Sequence, residues 1–125
     1  MGQYTFRKEE RLSKDKHIQE LFDKGSSFYL FPFKVFFRPH PEQEAPVHQV
    51  LITVSSKNFK RAVDRNLLKR RIREAYRLHK AMLPPSTSKL IIAIVYAHKE
   101  ILLYDELKRK LVPVLQRIAQ AKTTM

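Results

Sequence analysis

Residues 90–96 read LIIAIVY, an apolar run with no polar break before the tyrosine. Seven residues is strand length, and a strand apolar at every position is one buried on both faces. The chain must therefore build a sheet around this segment. A second strand is expected over residues 49–55, where Val50, Ile52 and Val54 alternate with Leu51 and Thr53. Residues 26–38 are dense in rings: Phe28, Tyr29, Phe31, Phe33, Phe36 and Phe37. A short strand before Pro32 and a longer one over 33–38 fit there. Proline forfeits a ladder hydrogen bond, so Pro32 marks a break or an edge. Rings packed this closely cannot all face inward on an alternating strand, so some need another role, such as lining a groove.

Helical spacing fills the rest. Ser13 is placed to cap a helix over 14–24, with Ile18, Leu21 and Phe22 as its apolar stripe and Gly25 expected at positive φ at its end. A long helix over 61–82 is expected to stop at Pro84 and Pro85. A last helix over 104–121 buries Leu107, Leu111, Val114, Leu115 and Ile118, with a kink or break expected at Pro113. Residues 39–46 form a polar, proline-bounded turn. Residues 1–11 read as a charged, flexible arm and 12–122 as one domain. The order is helix, strands, helix, strand, helix. That is an α+β or α/β sandwich on one sheet, with a β-α-β crossover at its centre.

Charge narrows the function. The net charge is +13, from 25 Lys and Arg against 12 Asp and Glu. A surplus of this size is relieved by a polyanion. The chain has no cysteine and only Gly2 and Gly25, which excludes thiol chemistry and a glycine-rich phosphate loop. No apolar run nears the ~18 residues of a membrane span, and the first 11 residues lack an apolar leader core. No membrane partner is expected, and a cytoplasmic location is. His17, His40, His48, His79 and His98 show no metal-ligand spacing. Neither paired carboxylates nor a nucleophile with its base stand out, so no small-molecule substrate is expected.

The surplus is concentrated. Residues 57–80 hold ten basic residues and two acidic ones, Asp64 and Glu74, or +8 of the +13. At about 100° per residue, Leu68, Ile72, Ala75, Tyr76 and His79 share the core-facing side of the long helix. Asn66, Lys69, Arg70, Arg73, Arg77 and Lys80 share a separate stripe, while Arg65 and Arg71 flank the buried side. A merely solvated face mixes signs to gain i,i+4 pairs. This stripe carries no carboxylate, so its cations repel unless phosphates lie between them. A nucleic acid is the partner it fits.

These residues also carry a resemblance. Ser56 and Lys57, followed by Ala62, Val63, Asp64, Arg65, Asn66, Leu67, Leu68, Lys69, Arg70, Arg71, Ile72, Arg73, Glu74, Ala75, Tyr76 and Arg77, resemble the basic helix of bacterial ribonuclease P proteins. That family's pattern is roughly S-K, a short spacer, then A-V-x-R-N-x-x-K-R-x-x-R-E-x-[FY]-R. Leu21, Phe22, Asp23, Lys24 and Gly25 are similar to the close of its first helix, and the likeness extends over residues 7–121. Two departures stand out. Leu67 stands where arginine is common, giving one phosphate contact fewer. Lys60 stands where glycine is common, giving a different loop or one more basic group.

The resemblance implies an α+β fold like the second domain of ribosomal protein S5. That is a small two-layer sandwich with three helices and a mixed sheet of about four strands. Its β-α-β crossover is left-handed, against the usual rule. It implies the protein subunit of ribonuclease P, an endoribonuclease that removes the 5′ leader of precursor tRNA. The catalyst there is RNA and no protein side chain is catalytic. Partners would be the ribonuclease P RNA and precursor tRNA, with Mg2+ at the RNA active site and none held by the protein alone. Lys57, Lys60, Arg61, Arg65, Asn66, Lys69, Arg70, Arg73 and Arg77 would hold the catalytic RNA. A cleft between the first helix and the sheet would take the leader, with Arg11, Lys14, Phe22, Phe33 and Phe36 as its candidates. The competing readings are a structural RNA binder, such as a ribosomal protein or RNA chaperone, and a DNA-binding regulator. The last needs a companion helix upstream of the basic one, where a strand is expected.

Overall fold

A computed structural model describes residues 8–42, 45–83 and 89–124, with side chains described to residue 121. Its elements are α1 (Asp15–Lys24), β1 (Ser26–Leu30), β2 (Phe33–Pro39), β3 (Gln49–Val54), α2 (Ala62–His79), β4 (Leu90–Tyr96) and α3 (Tyr104–Thr124). Short 3-10 turns lie at Lys8–Glu10 and Lys80–Met82. The four strands form one mixed sheet in the order β1-β2-β4-β3. β1 with β2 and β2 with β4 are antiparallel, whereas β3 with β4 is parallel. A parallel pair needs a crossover, and α2 supplies it.

The apolar run sits where its composition requires. β4 is an inner strand, and its residues point alternately into two separate cores. Leu90, Ile92, Ile94 and Tyr96 join Phe33, Val35 and Phe37 of β2 beneath α2 and α3. Ile91 and Ala93 join Leu12 and Leu21 beneath α1, with Ile18, Phe36 and Leu51 packed around them. Every β4 residue but Val95 is buried. Burial contributes about 1.5–3 kcal/mol per large aliphatic side chain, so this strand ties both cores together. The expected sandwich of sheet on helices describes α2 and α3, while α1 adds partial cover on the other face.

α1 runs back along β2. His17 meets His40 (5.7 Å between ring centroids), the Arg38 guanidinium reaches the Glu20 carbonyl at 3.5 Å, and Phe22 meets Phe36 at 4.7 Å. The helix stops there. The rest of that sheet face, the cross-strand row Tyr29, Lys34, Val95 and Thr53, has no helix over it among the described residues.

Several local expectations need correction. α1 begins at Asp15 after Lys14, with no side-chain cap from Ser13. Gly25 is extended (φ −72°), not left-handed. Its reason for being glycine is crowding, since a Cβ there would lie 2.4 Å from the Leu21 carbonyl oxygen. α3 runs through Pro113 without a break. The bond Pro113 cannot make is to the Arg109 carbonyl, and both residues are exposed, so water can serve that carbonyl. Pro32 does mark a break: it forms the two-residue β1–β2 turn with Phe31, through a cis peptide. The stop expected at Pro84 and Pro85 lies outside the described residues, as do residues 1–7 of the arm.

From Lys8 onward the expected arm is docked. Leu12 N–H donates to the Val50 carbonyl at 3.0 Å, Arg11 bridges to Val50 in parallel, and the Gln49 side chain donates to the Glu9 carbonyl at 3.0 Å. The segment thus covers the β3 edge, satisfying backbone groups an edge strand leaves open. Glu10 is buried and pairs with Lys80.

Candidate nucleic-acid interface

α2 divides its faces as its spacing requires. Leu68, Ile72, Ala75 and Tyr76 are buried against the sheet. His79, beside them, is tied by Nδ1 to the Ala75 carbonyl at 2.9 Å. Arg71 extends across to the loop before α3 and donates to the Leu102 carbonyl at 2.7 Å.

The outer stripe begins in the β3–α2 loop, which is held rigidly. Phe59 is buried against Tyr96 (6.0 Å between centroids). Its N–H donates to the Ser55 carbonyl at 3.1 Å, and Ser55 Oγ accepts from Lys57 N–H at 3.0 Å. Arg65 forks onto the Phe59 and Lys60 carbonyls at 2.7 and 2.9 Å. Arg65, expected to touch RNA, thus uses one guanidinium nitrogen, Nη1, to hold the loop that presents Lys57 and Lys60. Lys57, Lys60, Arg61, Asn66 and Arg70 are exposed, and Lys69 and Arg73 are half-buried. Among the described residues, none of the six cations here (Lys57, Lys60, Arg61, Lys69, Arg70 and Arg73) pairs with a carboxylate.

The C-terminal end of the stripe differs. Arg77 Nε donates to Glu74 Oε2 at 3.1 Å, with a second bond beside it. The Arg77 hydrogen bond holds the Glu74 carboxyl below its usual range, and Glu74 in turn raises Arg77. Lys80 is largely buried with Glu10. Arg77 and Lys80, grouped by sequence with the open stripe, are thus compensated within the protein. The i,i+3 reach of Glu74 was legible, but the approach of Glu10 from 70 residues away was not.

The leader-cleft candidates also separate. Phe22, 40% exposed, meets half-buried Phe36 edge-to-face, and Lys34 Nζ lies 5.7 Å from the Phe36 ring centroid. These three line the floor and wall where α1 ends. Phe33 does not join them. It is fully buried on the opposite face against Tyr96, because residues 33, 35 and 37 of β2 point toward α2 and α3. Lys14 lies at the far end of α1, paired with Glu42 at 3.4 Å across a small pocket with Ser13, His17 and Gln49. Arg11 lines a groove of about 220 Å³ with Leu12, Ser13, Val50, Leu51, Ile52 and Arg73, which places it beside the α2 stripe. Sequence reading missed Lys34 and Tyr29. Alternation along β1 and β2 would have found them, since they neighbour inward Phe28, Phe33 and Val35.

Among the described residues no three His, Asp or Glu side chains converge to hold a metal ion. No described helix is long and apolar enough to cross a membrane.

Known proteins share this arrangement. The family model Ribonuclease P matches residues 6–119. A ribonuclease P protein component from Porphyromonas gingivalis is 42% identical over 76 residues, 61% of this chain and 56% of that protein. The chain thus aligns with just over half the length of that relative. One from a Geobacillus species is 33% identical over 116 residues, covering 93% of this chain and 96% of the relative. The solved ribonuclease P protein of Thermotoga maritima superposes with a TM-score of 0.71 at 27% identity, over 86% of this chain and 96% of that one. The Staphylococcus aureus protein gives 0.70 at 26% identity, over 87% and 94%. With its basic crossover helix, its α+β sheet and nearly its whole length matched, this chain belongs to the ribonuclease P protein family.

Proposed function

We propose that the chain is the protein subunit of a ribonuclease P ribonucleoprotein and works in the cytoplasm. It holds the catalytic RNA with the outer face of α2 and the 5′ leader of precursor tRNA with the α1–sheet cleft. The observation that carries this is the stripe Lys57, Lys60, Arg61, Lys69, Arg70 and Arg73 on the outer side of α2 and its entry loop, with no carboxylate partner among the described residues. Each phosphate it neutralises releases counterions, so affinity is steep in salt. Exposed Phe22, with Phe36 and Lys34 beside it, offers a stacking surface and a cation where a single strand can lie.

In this reading the protein supplies position and charge, and bond cleavage belongs to the RNA. Mg2+ supports the hydrolysis from sites on the RNA. Reconstitution with a bacterial ribonuclease P RNA and precursor tRNA tests it. Protein alone should cleave nothing. The complex should yield mature 5′ ends in Mg2+ and low salt, and bind leader-bearing substrate more tightly than mature tRNA. Association with ribosomal particles and no effect on processing would overturn it.

A further inference from the structure

The open row of the sheet does not end at the last strand. Tyr29, 52% exposed, closes the row Thr53, Val95, Lys34, Tyr29 on β1, whose outer edge has no neighbouring strand among the described residues. Two residues on, in the β1–β2 turn, Phe31 is 40% exposed. Lys110 of α3 holds its ammonium 5.9 Å from the Phe31 ring centroid, and His98 stands against the same ring at 4.8 Å. One heptad further along α3, the Arg117 guanidinium lies 4.7 Å from the Phe28 ring centroid. Lys110 and Arg117 have no carboxylate partner among the described residues.

Packing accounts for Arg117, which roofs buried Phe28. It does not account for an exposed ring and a lysine at the rim of a sheet whose open face already carries Lys34 and Tyr29. Exposed rings beside uncompensated cations are what single-stranded RNA uses, stacking its bases on the one and its phosphates on the other.

We propose that the seam between β1 and α3, centred on Phe31 and Lys110, is a second single-stranded RNA subsite. It receives the part of the leader that has crossed the sheet and left over the β1 edge. This rests on the leader-cleft reading and extends it: the cleft takes nucleotides near the cleavage site, and the seam takes the distal ones.

The test uses the reconstituted holoenzyme and precursor tRNAs whose leaders lengthen one nucleotide at a time. Wild-type affinity should rise in two steps. Lys110→Gln and Phe31→Ser should each abolish the second step, a loss of about tenfold on long leaders, the size of one stacked base. Both should keep the first step and wild-type affinity for the catalytic RNA. Variants that match wild type at every leader length, or lose equally at every length, overturn the seam while leaving the cleft intact. A wild-type affinity independent of leader length overturns the cleft itself, and the seam with it.

Discussion

Two stretches of the same helix carry similar charge and meet different fates. Up to Arg73, the cations of the α2 stripe and its entry loop face outward with no carboxylate partner among the described residues. Beyond Arg73, Arg77 is held by Glu74 and Lys80 by Glu10. The first stretch is left for a partner's phosphates. The second is used by the protein: Arg77 pairs within α2, and Lys80 fastens the N-terminal segment to the turn that follows it. A count of basic residues cannot make this distinction, because one of the two acids arrives from another part of the chain.

The contrast can be broken at its strongest point first. Lys80→Ala would leave Glu10 buried without its cation, which costs about 3 kcal/mol. Chemical denaturation should read that loss, while the salt dependence of RNA binding should stay as in wild type. A flattened salt dependence would mean that Lys80 contacts RNA after all. Next in size is Phe22→Ala, which removes an exposed stacking ring and should lower affinity for leader-bearing substrate by about 1–2 kcal/mol. Assembly with the catalytic RNA should be unaffected. Loss of folding instead would assign Phe22 to the core.

Glu74→Gln should have the smallest effect. It frees Arg77, and the salt slope should steepen by under about one phosphate contact. Acid should do the same. Glu74 is lowered by Arg77 in the folded state, so its stabilising contribution is present above the ordinary carboxylate range. That contribution is lost only as pH falls through the lowered value. Near neutral pH the pair is fully formed, and a slope that changes between pH 6 and 8 would count against it.

Much of this was legible beforehand, because periodicity reports burial directly. The run at 90–96 gave the inner strand, and the α2 wheel separated Leu68, Ile72, Ala75 and Tyr76 from the stripe. What escaped depends on three-dimensional neighbours. Phe33 and Phe36 look alike in sequence, and only strand phase sends one to the core and the other to the α1 side. The hold of Arg65 Nη1 on the 59–60 carbonyls was not legible either, because it follows from how the loop folds back. Gly25 suggested a left-handed cap, yet the constraint is the closeness of Leu21.

The central claim is that the outer face of α2 before Arg73 meets an RNA backbone. The salt dependence of binding to the ribonuclease P RNA, compared between wild type and a Lys69→Ala, Arg70→Ala, Arg73→Ala variant, tests it most directly. The logarithmic slope should fall by about 2–3 units, one for each phosphate no longer neutralised, with thermal stability little changed. A variant that folds normally and keeps the wild-type slope would show that the RNA binds elsewhere.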